Sequence, residues 1–245
     1  MPSYWKPIIE RCKEEMKNGL IYISAQHGDE ITLTSPDGTR AVIVILSRQQ
    51  TENAWRTSLN GQESIILSNA DLMFNQNTIE LRQLERNEFR FNVFPEPSKP
   101  FNQGGKLIAK SQSGIFTEYK INVLKVDPGV LLKKTANDEM TIVLPEQLPE
   151  QLSDVFLGID FMGDSAAISC EGRLLNDQLF NGQSWMVGIK RYINPEAAQI
   201  IHLKVYPWQY EFREVPQKMV DRMKKTGPQI TAVKILPQYK AIVEQ

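Results

Sequence analysis

The sequence predicts an all-β fold, two jelly-roll-like antiparallel β-sandwiches with short peripheral helices. Three observations lead there. Short stretches rich in β-branched and aromatic residues recur along almost the whole chain. Turn signals built on Gly, Asn, Asp and Pro separate them. The stretches follow one another without the intervening helices that a parallel βαβ sheet requires.

The first element reads as a helix. Ser3 suits a cap, and Pro7 suits a first-turn position where a missing N–H costs nothing. Ile8, Ile9, Cys12 and Met16 then share one face, and Gly19 is a stop signal. From Leu20 to Pro97 the period changes to that of strands, at Tyr22–Ser24, Glu30–Thr34, Arg40–Leu46, Ser64–Leu67, Asn77–Leu81 and Phe89–Phe94. Pro36-Asp37-Gly38 and Asn60-Gly61 are turns, and the apolar run Arg40–Leu46 reads as a central strand. Thr51–Thr57 reads as a helical turn or an irregular crossover.

Pro95-Glu96-Pro97-Ser98-Lys99-Pro100, followed by Asn102-Gln103-Gly104-Gly105, is the strongest boundary signal in the chain. It divides the chain into a first sandwich with its N-terminal helix (1–98) and a second, jelly-roll-like sandwich (106–245). The second region reads as strands at Leu107–Lys110, Thr117–Val126, Thr141–Leu144, Ser153–Met162, Asp164–Cys170, Ser184–Lys190 and Gln199–Tyr206. A helix at Pro216–Lys225, a strand at Ile230–Ile235 and a tail follow.

Composition removes several function classes. Lys+Arg 28 against Asp+Glu 29 leaves a net charge of -1, which gives no excess of cations for gripping nucleic acid. Cys12 and Cys170 are too few for a disulfide scaffold or a multi-cysteine metal site. His27 and His202 lack any zinc-ligand spacing, so no metal is predicted. No apolar stretch is long enough to cross a membrane as a helix, and Met1–Leu20 has no signal-peptide core. Metalloprotease, P-loop, dinucleotide and serine-hydrolase motifs are all missing.

The informative stretch runs from Val155 to Tyr192. Gly163 and Gly172 permit tight reversals, and Asp160 and Asp164 flank the first of them. Phe180, Trp185 and Tyr192 supply aromatic surface, with Asp177 and Asn181 close in sequence. An exposed aromatic beside such polar groups can stack on a sugar ring and bond its hydroxyls. In the alternative, Trp185 caps the sandwich core while Asp177 and Asn181 hold the loop. An open cleft carrying Trp185 would favour the first, a buried Trp185 the second.

This stretch resembles the non-catalytic β-sandwich regions of bacterial β-galactosidases and related glycoside hydrolases. The resemblance lies in Asp160, Phe161, Gly163, Asp164, Gly172, Leu174, Asp177, Phe180, Asn181, Gly182, Trp185, Gly188, Lys190, Arg191 and Tyr192. Ile31–Gly38 with Ala54-Trp55, and Ser64–Asp71, look like an accessory sandwich of the same enzymes. The resemblance implies a parent that hydrolyses terminal galactosides through two glutamates on a (β/α)₈ barrel. No segment here resembles that barrel, and 245 residues cannot hold it beside two sandwiches. It therefore implies a non-catalytic accessory or carbohydrate-binding-like region, partnered by a catalytic barrel in the parent and able to meet a glycan or galactoside. Neither a membrane nor nucleic acid is expected as a partner. A stand-alone carbohydrate-active hydrolase and a structural protein-interaction module are the alternatives. No cofactor is expected: calcium is common in such sandwiches, but no oxygen-ligand motif is present. The compartment stays open, a periplasmic or extracellular parent being compatible with the resemblance.

Overall fold

The computed structural model describes residues 6–8, 13–17, 20–196, 199–209 and 215–244. Its elements are antiparallel strands with two short α-helices, as the sequence predicts. The chain forms two compact units. The first comprises residues 1–81, 88–122 and 241–245, and the second 82–87 and 123–240.

In the first unit, five strands run in the order Lys110–Ser113, Phe116–Asn122, Glu88–Phe94, Gln62–Ser68 and Ala54–Leu59. Asn60 and Gly61 both have positive φ and join Leu59 directly to Gln62, which is the backbone twist a two-residue hairpin needs. A small separate sheet pairs Lys6–Ile8, Glu30–Thr34 and Arg40–Val44. Its Pro36-Asp37-Gly38 turn is held by Asp37, which accepts from the Ser35 hydroxyl and from the Thr39 N–H. Those bonds lower the Asp37 carboxyl to about 2.

Three expectations for this part of the chain need correction. The described parts of the predicted N-terminal helix, Lys6–Ile8 and Lys13–Lys17, are strands. The remaining positions of that helix, Cys12 among them, lie outside the described residues. Lys13–Lys17 pairs antiparallel with Leu20–Ser24, Lys17 opposite Leu20. The glycine taken as a helix stop is also half of an Asn-Gly pair, the strongest short hairpin signal. Second, Arg40–Val44 is an edge strand with largely exposed side chains rather than a central one. Its continuous apolar character does not distinguish the two, because only pairing on both sides makes a strand central. Third, the Pro- and Gly-rich stretch at 95–105 belongs to the first unit and contributes to a core. Phe101 is 1% exposed, its ring edge-on to Tyr119 at 4.9 Å and to Phe91 at 5.6 Å. Prolines and glycines describe the backbone on either side of Phe101, not where its ring goes.

Phe91 and Tyr119 stack at 5.2 Å within that cluster. Burial pushes the Tyr119 phenol up to about 12. A phenol raised in the folded state contributes stability that is complete below its ordinary pKa of about 10 and is lost as pH climbs through the folded value. An ultraviolet phenolate titration is expected to show a component ionising near pH 12 that Tyr119→Phe removes. A titration that Tyr119→Phe leaves unchanged at its high-pH end would contradict the packing.

The second unit carries a five-stranded sheet in the order Leu131–Lys134, Glu139–Val143, Ile200–Tyr206, Ser165–Cys170 and Arg173–Leu179. Leu152–Met162 lies between Trp185–Gly188 and Gln229–Glu244 in another layer. Ile142, Ala166, Ile168, Ile201, Leu203 and Val205 are buried from the first layer. Val155, Leu157, Ile159, Trp185 and Val187 are buried from the second. This period-2 burial is what two sheets facing one core demand. The Gln217–Thr226 helix buries Val220 and Met223, three residues apart on one face. Arg173–Leu179, expected to be a loop, is a strand. The sequence beyond Ile230, read as a strand plus a tail, is one strand through Glu244.

Candidate functional site

The Asp160–Tyr192 motif lies in the second unit, and its glycines have different jobs. At Gly163 an added Cβ would stand 2.5 Å from the Tyr206 carbonyl oxygen and 2.5 Å from Val205 Cγ1. The chain passes too close to the Ile200–Tyr206 strand for any side chain. Next to it, the Asp164 N–H donates to that same Tyr206 oxygen at 2.9 Å, and the Asp164 carbonyl accepts from the Phe180 N–H at 3.0 Å. Asp164 is itself buried. Gly172 has a φ of 78 and, with Glu171 at 50, turns Cys170 directly into Arg173. A Cβ on Gly188 would lie 2.9 Å from Asp154 Oδ2. The other oxygen, Oδ1, accepts from the Lys190 N–H at 2.9 Å, so Asp154 ties the end of Trp185–Gly188 to the following turn.

The five residues expected to meet a glycan are placed differently from one another. Trp185 is 6% exposed and is paired with Ile159 across the layer. Phe180 is also buried, its ring edge-on to Phe161 at 5.6 Å. Asp177 is exposed on the edge strand Arg173–Leu179. Asn181 is exposed, and its side-chain oxygen accepts from the Gln183 N–H at 2.9 Å, an Asx turn beside Gly182. Tyr192 is half-buried beneath the Arg191 guanidinium, 5.2 Å from the ring centre. Asp160 accepts a hydrogen bond from the Ser184 hydroxyl, holding the loop that contains Asn181 and Gly182.

A groove of about 630 Å³ borders the motif. Phe180 and Gly182 line it from the loop, Asp160 from its strand, and Lys218, Met219 and Arg222 from the Gln217–Thr226 helix. Of the five expected glycan residues, only Phe180 reaches it. The volume suits a small ligand. The groove combines two thioethers, Met162 and Met219, and two aromatic rings, Phe161 and Phe180, with two cations and one carboxylate. Lys218 and Arg222 were missed by the sequence reading, which assigned the helix no role. Their signal was the four-residue spacing that puts both on one face. Cys170 is a free thiol whose Sγ lies 3.3 Å from Gln199 Oε1. Among the described residues no cluster of His, Cys, Asp and Glu has metal-binding geometry.

No family model and no curated protein matches this sequence. Among solved structures, the chain is similar to the GH31 alpha-xylosidase of Xanthomonas citri at 9% identity and a TM-score of 0.20. That match covers all of this chain and 34% of the enzyme, so the chain spans about a third of its length.

Proposed function

We propose that this chain is a non-catalytic accessory region of a glycoside hydrolase resembling the β-galactosidases. The observation that carries the reading is how the Asp160–Tyr192 motif is used. Gly163 allows two strands to touch, Gly188 sits under Asp154, and Asp160 is bonded to Ser184. Phe180 and Trp185 are buried. A motif of this kind maintains the shape of a sandwich and its loop end, the task of a domain that braces a catalytic partner or completes its rim. Within this reading, Asp177 and Asn181 are the motif groups free to face a glycan, while Trp185 and Phe180 support them from the core.

Incubating the purified chain with chromogenic aryl galactosides tests the proposal directly. No turnover above buffer is expected. Turnover that disappears when a single carboxylate is replaced would overturn it and make the chain a hydrolase in its own right.

A further inference from the structure

A second cavity of the same unit, about 360 Å³, lies away from the motif on the outward face of the five-stranded sheet. Strand register explains why it is there. Ile200, His202, Lys204 and Tyr206 alternate with buried Ile201, Leu203 and Val205, so the first four project outward. Their partners on the next strand are small: Ser169 opposite His202, Ala167 opposite Lys204 and Ser165 opposite Tyr206. Beyond these, Leu174 pairs with Ser169, Asp177 with Ala167 and Leu179 with Ser165. A row of three small side chains is therefore flanked by two taller rows, giving a trough along Ser165–Cys170. The cavity itself takes in Ala167 and Ser169 from the small row, Leu174 on one side and His202, Lys204 and Tyr206 on the other; the whole row from Ser165 to Ser169 is about 13 Å long at the rise of a strand.

The chemistry of the walls narrows the occupant. Tyr206 is 42% exposed and presents a flat ring at one end, and Leu174 is 59% exposed near the other. Between them lie the exposed His202 imidazole and the Ser169 hydroxyl, with Lys204 Nζ 2.8 Å from Glu139 Oε1. The Lys204 ammonium beside Glu139 holds that carboxyl below its usual range, and Glu139 in turn raises Lys204. Both therefore stay charged at neutral pH and cancel, while Asp177 in the outer row adds a carboxylate, so the walls offer fixed donors and acceptors without attraction for an anion. An extended peptide would need unpaired strand backbone for β-addition. Ser165–Cys170 is already paired on both sides, with Ile200–Tyr206 and with Arg173–Leu179, so only side chains are on offer.

We propose that this trough binds a neutral oligosaccharide laid along Ser165–Cys170, with a sugar ring on Tyr206 and hydroxyls bonded by His202, Ser169 and the Lys204–Glu139 pair. The choice of a saccharide among hydroxyl-rich ligands rests on the accessory-region reading above. The site itself is new to it, being separate from the helix-lined groove.

The test is calorimetric titration of the full chain with neutral tetrasaccharides of β-1,4-linked galactose, xylose and glucose, with tetragalacturonate as the acidic counterpart. Saturable binding of at least one neutral tetrasaccharide is expected. Tyr206→Ala should weaken it about tenfold through loss of the ring surface. Ala167→Arg, which fills the floor, should abolish it at an unchanged melting temperature. Should Ala167→Arg fail to fold, Tyr206→Ala and Glu139→Gln decide the matter, since both replace outward-facing groups. Absence of saturable binding by every neutral tetrasaccharide overturns the proposal, and so does tighter binding of tetragalacturonate. Binding that ignores the trough variants but is lost in Lys218→Ala with Arg222→Ala overturns the trough while leaving the accessory reading intact. Aryl-galactoside turnover would do the reverse.

Discussion

Gly163→Ala is expected to destabilise the second unit by about 3 kcal/mol, at the upper end of the cost of forcing extra volume into packed structure. The new methyl would sit 2.5 Å from a backbone oxygen and from Val205 Cγ1, and neither is the far end of a flexible side chain. Relief requires the Ile200–Tyr206 strand to move. That movement strains the 2.9 Å bond from the Asp164 N–H to the Tyr206 carbonyl, so a hydrogen bond is weakened along with the packing. Gly172→Ala is the control. It lies in the same motif and has positive φ, but a Cβ there meets nothing within 4 Å. Only left-handed backbone strain remains, about 1 kcal/mol. Chemical denaturation of both variants decides the point. If Gly163→Ala costs no more than Gly172→Ala, the two strands do not approach as described.

Trp185→Ala is expected to cost about 3–5 kcal/mol, the range for removing a large aromatic from a core. In a chain of this size that lowers the melting temperature by roughly 10–15 °C. At 6% exposure the indole has little surface to offer a ligand. Saccharide affinity of whatever protein remains folded at low temperature should therefore change little. Thermal unfolding and titration on the same sample separate the two effects. An unchanged melting temperature with lost sugar binding would return Trp185 to the ligand surface. Trp185→Phe, which keeps an aromatic ring in place, should recover much of the stability.

How much of this was legible in advance depends on the range of the interaction concerned. The Asn60-Gly61 hairpin could be read directly, because a preference for positive φ belongs to those residues. The alternation in Ile200–Tyr206 was equally visible. The N-terminal segment was not: Ile8, Cys12 and Met16 fit a helical stripe, while Asn18-Gly19 fitted a hairpin, and pairing with Leu20–Ser24 favoured the strand. Among the candidate site residues, Trp185 and Phe180 were recognisable as aromatics, yet their side of the sheet was not.

The sequence by itself determined the all-β class, the positions of the tight turns and the residues of the Asp160–Tyr192 motif. These follow from backbone preference and two-residue periodicity, which act over a few neighbouring positions. Only the tertiary structure decided that Gly163 is a point of contact between strands, that Trp185 is buried, and that three small residues line up beneath Tyr206, Lys204 and His202. Each depends on which strand pairs with which and in what register. Residues brought together from positions as far apart as Glu139 and Lys204 settle that jointly, and no local stretch encodes it.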